Sequence, residues 1–264
     1  MRIEAIYLDD TGSGPRWSPV ASAANARRAA EDSRAIGYIG ELDSGATRFS
    51  LPITNQAGIA QISPGATAVD LTRATASSDP DRYRPSDEQT FVRLTPDEED
   101  ERRAAGRLAA ELGGAERVST AAQLPAAGTQ PIIGPYPFYY RFARVCRRLD
   151  GTLYVTSPFR EPFNLLPGAR SFNRAFRERF GQPLPPAAYG YEAMALLLDA
   201  IRRAGDAGDE RGAVIDRVLS TTDRESVIGE YSIDANGDTT LEVITIYSIK
   251  DCRRRFGREL PASA

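Results

Sequence analysis

The stretch that decides the fold is Ala35–Thr72, AIGYIGELDSGATRFSLPITNQAGIAQISPGATAVDLT. It contains two apolar runs, Ala35–Leu42 and Ile59–Ile62, and each run ends in a small polar turn. The residues between the runs, Arg48–Ala57, predict a helix that crosses back over a sheet. Because strands joined by such a crossover are parallel, the stretch predicts a βαβ unit and an α/β protein.

The two polar turns, Asp43–Thr47 and Ser63–Thr67, follow neighbouring strands of the predicted sheet. Open α/β sheets bind ligands at the carboxyl ends of their strands, where both turns are expected. Each turn offers hydroxyl groups and free backbone N–H groups, and the first turn opens a helix. This arrangement is typical of a site for a carboxylate or another small anion.

The segments GYIGELDSGAT, LPITNQAGI, QISPGAT and DLT resemble the type I periplasmic solute-binding proteins of the branched-chain amino acid (Leu/Ile/Val-binding) family. Further similar text lies at Tyr7–Gly14, Asn25–Ser33, Ala187–Ile201 and Gly229–Asp238. The resemblance implies an α/β fold of two lobes, with parallel sheets and flanking helices. It also implies an extracytoplasmic solute-binding protein of an ABC importer, with an amino acid or related small molecule and a membrane permease as partners, and no cofactor.

The sequence departs from this family in two places. It begins at text that resembles the family's second strand, and relatives contain further strand–helix units after Val118. We therefore expect an N-terminal lobe over 1–118 without the first strand and helix, a linker over 119–129, and a reduced C-terminal lobe over 130–264 whose last strands can return to the hinge. The predicted strand Ile3–Leu8 then either pairs with Gly37–Leu42 or leaves a sheet edge open, and an open edge favours aggregation or dimerisation.

The resemblance implies a ligand site at the two polar turns. In relatives, the residues at the positions of Ser44 and Thr67 bind the ligand carboxylate through hydroxyl and N–H groups, and the carbonyl at the position of Gly65 accepts from the ammonium group. Ala66 lies between these positions. An alternative interpretation is that Ser44 and Thr67 are helix N-caps, a role compatible with ligand binding.

Further candidates are four residues whose roles stay open. Asp43 either lines the cleft or is a surface carboxylate. Tyr189 and Tyr191 either border the cleft or pack in the core, and Trp17 is a candidate wall of the site.

Tyr136 stands where relatives carry an acidic residue that pairs with the ammonium group. The text here is Gly134-Pro135-Tyr136, and a phenol supplies no charge at pH 7. Either Tyr136 makes a weaker contact, or the ligand is not a simple zwitterionic amino acid. A third interpretation places Tyr136 in a packed aromatic cluster over 136–142.

Composition excludes several classes of function. The chain of 264 residues has no histidine, which argues against most zinc sites and against a Ser-His-Asp triad. A net charge of −3 does not favour nucleic acid, and no apolar run approaches the length of a membrane span. The start MRIEAIYLDD lacks the pattern of a signal peptide. Location is therefore extracytoplasmic by resemblance, with a cytoplasmic location as the alternative.

One alternative function is a ligand-sensing regulatory module on the same fold, or a non-binding truncated paralogue. A third is a hydrolase that uses Ser44, which the missing histidine disfavours. Cys146 and Cys252 have no CxxC partner, and two separate thiols are favoured over a disulfide. The charged run Asp97–Arg103 predicts a solvated helix face. We also predict a helix over Tyr139–Leu149. A hairpin is expected over Gly229–Ile249, with its turn at Asp234–Asp238.

Overall fold

The computed structural model describes residues 2–12, 14, 16–118, 123, 130–139, 146, 151–161 and 166–262. The predicted linker 119–129 and the predicted helix Tyr139–Leu149 lie outside these residues, apart from Gln123, Tyr139 and Cys146. No helix among the described residues is long and apolar enough to cross a membrane.

Six helices and eight strands are described. The helices are α1 Pro19–Glu31, α2 Ser44–Gln56, α3 Glu98–Glu111, α4 Pro167–Phe180, α5 Pro186–Ala204 and α6 Arg211–Leu219. The strands are β1 Gly37–Ile39, β2 Ala60–Ser63, β3 Phe91–Arg93, β4 Glu116–Arg117, β5 Ile132–Gly134, β6 Leu153–Ser157, β7 Val243–Lys250 and β8 Arg253–Pro261. Helices flanking parallel-rich sheets confirm the predicted α/β class.

The chain forms two compact units. Unit 1 comprises Met1–Thr95 and Tyr189–Thr240, and unit 2 comprises Pro96–Ala188 and Leu241–Ala264. These boundaries differ from the expected lobes 1–118 and 130–264. The difference arises because α3, which follows Thr95, packs on β6 and β7 within unit 2, whereas most of α5 and all of α6 return to unit 1.

Unit 1 is built on a parallel three-stranded sheet in the order β1-β2-β3. The βαβ unit predicted from Ala35–Ile62 is present as β1, α2 and β2. Helix α2 begins at Ser44 rather than at Arg48, because the Asp43 carboxylate accepts a hydrogen bond of 2.7 Å from the N–H of Gly45 and caps the helix. The core beneath α2 includes the fully buried Leu51, Ile59 and Ile62.

A buried arginine connects the strands of unit 1 to their loops. Arg93, at the end of β3, has no exposed surface, and its Nε lies 2.7 Å from the Asp238 carboxylate. Its other nitrogens donate to the carbonyl of Ala68 at 2.7 Å and to the hydroxyl of Thr72 at 2.6 Å. Because a buried charge is costly unless it is paired and hydrogen-bonded, these contacts fix the loop after β2 in one position.

The turn that supplies Asp238 packs directly on β3. The N–H of Arg93 donates to the carbonyl of Gly237 at 3.0 Å, and a Cβ on Gly237 would collide with the carbonyl of Phe91. The predicted turn at Asp234–Asp238 is therefore present, but the predicted hairpin over Gly229–Ile249 is wrong. A single bridge between Ile233 and Thr239 flanks the turn. The last apolar run forms β7, which pairs with β6 and β8 in unit 2.

The predicted strand Ile3–Leu8 is also wrong. These residues are in no sheet, and all but Leu8 are exposed. Strand β1 is consequently an outer strand, which pairs with β2 along one edge. The structure thus contains the open sheet edge that the sequence offered as an alternative.

A buried carboxyl group follows β1. Glu41 is 7% exposed, and its Oε1 accepts a hydrogen bond of 2.6 Å from the hydroxyl of Tyr38. Burial raises the pKa of Glu41 to about 7; the hydrogen bond from Tyr38 opposes this rise, and the neighbouring Asp10 carboxylate adds to it. Below this pH the protonated form of Glu41 predominates in the folded protein.

Unit 2 contains a five-stranded sheet in the order β4-β5-β6-β7-β8, parallel through β6 and antiparallel from β6 to β8. One face packs on α3 through a cluster that includes Leu108, Ile133 and Ile246, and the other carries Tyr139 and Tyr247. Strand β8 was not predicted, because its sequence RRRFGRELP lacks the apolar alternation of a strand. Most of its side chains are exposed in the structure. Backbone pairing with β7 holds this segment as a strand, although its side-chain pattern does not predict one.

Cys146 and Cys252 form a disulfide within unit 2, across a separation of 106 residues. The interpretation of these residues as two separate thiols is therefore wrong. Spacing along the chain carried no information on this pair, because only the β7–β8 turn brings Cys252 to Cys146. Closing a loop of this length stabilises the folded state by restricting the unfolded chain.

We predict that Arg93→Ala destabilises unit 1 by about 3–5 kcal/mol, because it leaves the Asp238 carboxylate without its buried partner. The measurement is the free energy of unfolding in urea. Arg34→Ala is the control, since Arg34 pairs with Asp32 at the surface with its side chain 81% exposed. We expect a much smaller change for the control. Equal effects of the two substitutions would contradict the proposed role of Arg93.

We also predict that Glu41 makes stability fall as pH rises. Its folded-state pKa of about 7 lies above its ordinary value of 4.5, so the folded state holds a proton that the unfolded state has released within this window. The free energy of unfolding should decline between these two pH values. Glu41→Gln keeps an acceptor for Tyr38 and removes the titration, so its pH profile should be flatter than that of the parent. Identical profiles would disprove the assignment, and the comparison separates Glu41 from other raised carboxyl groups.

Candidate functional site

The two polar turns of unit 1 meet at one edge of its sheet. Strands β1 and β2 are parallel and adjacent, so the loops that follow them emerge on the same side. The first loop enters α2 at Ser44, and the second runs from Pro64 to Thr67. The Ser63 hydroxyl fixes the start of the second loop, since it accepts from the N–H of Ala66 at 2.9 Å and donates to the carbonyl of Glu41 at 2.6 Å.

Ser44 joins the two loops directly. Its hydroxyl oxygen accepts hydrogen bonds from the N–H groups of Thr67 at 2.9 Å and Ala68 at 3.0 Å. The structure therefore brings together Ser44 and Thr67, as the sequence predicted. The N-cap interpretation of Ser44 is corrected, because Asp43 caps α2 and Ser44 is the first residue of the helix.

Several polar groups at this edge retain hydrogen-bonding capacity. In the part of the chain that the structure describes, the hydroxyl of Thr67 and the carbonyl of Gly65 have no hydrogen-bond partner. The oxygen of Ser44 accepts from amides, which leaves its O–H available as a donor. The first turn of α2 adds the positive end of a helix. Together these groups can receive a carboxylate and an adjacent hydrogen-bond donor.

An aromatic side chain borders the same edge. Trp17 packs on Gly45 so closely that a Cβ at this glycine would collide with the indole ring. The ring centroid of Trp17 lies 6.2 Å from that of Phe49. Phe49 and Leu42 expose about half of their surface, at 44% and 50%. The predicted wall at Trp17 is thus positioned beside the polar groups and is accompanied by apolar surface.

Tyr189 and Asp43 both have structural roles in unit 1. Tyr189 is completely buried, so its ring has no free surface, in agreement with the core interpretation. Tyr191 is 53% exposed. The Asp43 carboxylate is exposed and is occupied as the cap of α2.

Tyr136 follows β5 in unit 2 and packs in an aromatic cluster. Its ring stacks on Tyr139 at 5.3 Å and contacts Phe159 at 4.9 Å between centroids. The structure therefore agrees with the interpretation that Tyr136 is a packing residue, although its ring is only partly buried.

An acidic residue that the sequence did not single out lies beside Tyr136. Glu101 accepts a hydrogen bond of 2.5 Å from the hydroxyl of Thr156 and another from the N–H of Tyr136. Burial raises the pKa of Glu101 to about 7. The expectation that the run Asp97–Arg103 is a solvated face is wrong at this position. The sequence did contain a signal for the position of Glu101. Glu101 is four residues after the N-cap Asp97, and it lies on the helix face that carries the buried Ala104, Ala105 and Leu108.

The geometry at Ser44 does not support nucleophilic catalysis. The hydrogen bonds of its hydroxyl are to backbone amides, and no titratable side chain in the described part of the chain is hydrogen-bonded to it. A serine nucleophile requires an adjacent base. The contacts of Ser44 therefore do not support the alternative function of a hydrolase.

Solved structures of low sequence identity share the fold. A substrate-binding protein of an ABC transporter from Desulfitobacterium hafniense, in complex with Leu, is 19% identical with a TM-score of 0.73, over 96% of this chain and 88% of that one. The leucine-binding protein LivK from Thermotoga maritima is 20% identical with a TM-score of 0.74, over 94% and 86% of the two chains.

A third similar structure is a solute-binding protein of an ABC transporter from R. palustris, in complex with benzoate. It is 15% identical with a TM-score of 0.69, over 94% of this chain and 84% of that one. No curated protein matches the chain by sequence.

The sequence profile of the family described as "Periplasmic binding protein" matches residues 118–253, just over half of the chain. The matched residues include β5, β6 and all of β7, together with α4, α5 and α6. The chain therefore belongs to the periplasmic binding protein family and has its type I fold.

Proposed function

We propose that this protein is the extracytoplasmic solute-binding component of an ABC importer, which captures an amino acid or a related small polar carboxylate or amide. The observation that supports it most is the contact between Ser44 and Thr67 at the carboxyl ends of β1 and β2. The two loops of the βαβ unit there present a hydroxyl donor, a hydroxyl without a described partner and a helix N-terminus. A carboxylate is the small group that such donors favour.

The ligand carboxylate would bind the hydroxyl groups of Ser44 and Thr67. Ser44 already accepts two amide bonds, so it would act as a donor through its O–H group. The carbonyl of Gly65 would accept from the adjacent polar group of the ligand. Trp17, with Phe49 and Leu42 nearby, offers apolar surface for the rest of the molecule.

The disulfide supports an extracytoplasmic location. Disulfides form and persist in oxidising compartments and are rare in the cytosol. The bond between Cys146 and Cys252 therefore fits export better than it fits the cytoplasmic alternative. The membrane permease of an importer is the partner that this function requires.

The neutral Tyr136 suggests a ligand that need not be a zwitterion. At the position where relatives carry an acid, a phenol makes no charge-assisted contact with an ammonium group. An unpaired buried charge costs far more than a paired polar group, so a hydroxyl or amide end is easier to accommodate. One similar protein was solved with benzoate, a carboxylate that has no ammonium group.

Thr67→Ala tests the carboxylate site. Loss of a hydrogen bond to a charged group should weaken binding by about 1.5–3 kcal/mol, measured by calorimetry with 2-hydroxy-4-methylpentanoate and with leucine. The hydroxyl has no described internal partner, so thermal stability without ligand should stay unchanged. Thr67→Ser retains the hydroxyl and should retain most of the affinity. Unchanged affinity in Thr67→Ala would rule out this role.

A thermal-shift comparison of leucine with its 2-hydroxy analogue tests selectivity. We expect stronger stabilisation by the hydroxy acid, because it places a neutral hydroxyl where leucine places an ammonium group. Stabilisation by leucine alone in the parent protein would show that another acid supplies the charge.

A further inference from the structure

A groove within unit 2 is lined mainly by charged and polar side chains. It has a volume of about 1020 Å³ and lies between α3 and the strands β6, β7 and β8. Its lining includes four cationic side chains and two carboxylates, from Lys250, Arg253, Arg255, Arg258, Glu111 and Asp251. Sites for small molecules commonly enclose about 300–1,000 Å³, so the groove has room for a molecule much larger than a single ion.

The register of β7 and β8 brings cations together on one face of the sheet. Lys250 lines the groove, whereas its neighbour Ile249 belongs to the buried cluster on the opposite face. Lys250 pairs with Arg253 across the β7–β8 turn, and Arg255 lies two residues further along β8. Because side chains two residues apart point to the same face of a strand, all three cations border the groove.

A bulge in β8 turns a fourth cation to the same face. The register shifts between Ile246 and Tyr247, so Arg258 pairs with Ile246 on the side of the groove. Gly257 lies in the bulge, where a Cβ would approach the carbonyl of Ile246 to 3.0 Å. Arg258 forms an ion pair with Glu111 of α3, so its charge is already matched.

The other three cations have no such match. Among the described residues, no hydrogen bond or ion pair involves the side chains of Lys250, Arg253 or Arg255, and none joins them to Asp251 in the turn. Lys250 and Arg253 are directly opposite each other, and like charges in this position destabilise a sheet. A bound anion would remove this repulsion.

The spacing of the arginines indicates more than one anionic group. Arg253 and Arg255 are separated by roughly 7 Å along the strand. Each guanidinium can bind one phosphate or carboxylate through two parallel hydrogen bonds. Between the strands and α3, the partly buried Tyr154 and Leu112 and the half-buried Ser248 offer contacts for the rest of a ligand.

We infer that this groove binds a small polyanion, a molecule with two or more phosphate or carboxylate groups, through Lys250, Arg253 and Arg255. The disulfide of Cys252 anchors the turn between Lys250 and Arg253, so the cations are held close together before a ligand binds. The site lies within unit 2 and uses neither polar turn of unit 1, so it does not depend on the proposed function.

Isothermal titration calorimetry with tripolyphosphate and with citrate tests the site. We expect both to bind the parent protein more tightly than inorganic phosphate does. Arg255→Gln should weaken their binding by about tenfold or more, because it removes a charge-assisted contact. Arg102→Gln is the matched control, since Arg102 is exposed on α3 in the same unit and does not line the groove. Its affinity should equal that of the parent.

Three results of this titration would overturn the inference. They are no binding by the parent protein, equal losses in Arg255→Gln and Arg102→Gln, and a loss in Thr67→Ala, which would place the anion at the polar turns of unit 1. Vesicles of phosphatidylglycerol distinguish a lipid headgroup from a free molecule. Co-sedimentation with these vesicles, without binding of tripolyphosphate, would also overturn the inference, in favour of a membrane surface.

Thermal unfolding provides an independent measurement. Lys250→Gln removes one of two opposed like charges, so it should raise the melting temperature of the ligand-free protein. The same variant should be stabilised less than the parent by tripolyphosphate. A lower melting temperature without ligand, or equal stabilisation of the two proteins by tripolyphosphate, would contradict a role of Lys250 in anion binding.

Discussion

The ion pair between Arg93 and Asp238 is the constraint on which the organisation of unit 1 depends. It joins the last strand of the sheet to a turn that is 145 residues away in sequence. The same guanidinium holds the carbonyl of Ala68, whose N–H contacts the hydroxyl of Ser44. A continuous chain of hydrogen bonds thus runs from Asp238 through Arg93 and Ala68 to the candidate site.

This network explains why a charged residue is tolerated in the core. Burial of an arginine is costly, and an apolar residue of similar volume could stabilise the sheet equally well. The arginine instead fixes the positions of the loops around it, because its planar guanidinium donates to three acceptors in fixed directions. One result is a fixed position for the loop that carries Thr67. A binding site benefits from such order, since less conformational freedom is then lost when a ligand binds.

Unit 2 is ordered by different means. Its disulfide joins the β7–β8 turn to Cys146, and Tyr139 packs between Tyr136, Tyr247 and the guanidinium of Arg254. Glu101 lies at the edge of this cluster with a raised pKa. A carboxyl group from α3 thus bonds to the backbone N–H of Tyr136, a residue of this aromatic cluster.

The sequence by itself determined the βαβ unit, the α/β class and the edge at which Ser44 and Thr67 meet. These features follow from local apolar periodicity and from turns, which short stretches encode. Only the tertiary structure decided the partners of Arg93 and Cys146, the partial burial of Glu101, the burial of Tyr189, and the strand β8. Each of these depends on residues distant in sequence that packing brings together. The segment Ile3–Leu8 also shows that local sequence is not sufficient. A strand-like pattern forms a strand only where a neighbouring strand pairs with it.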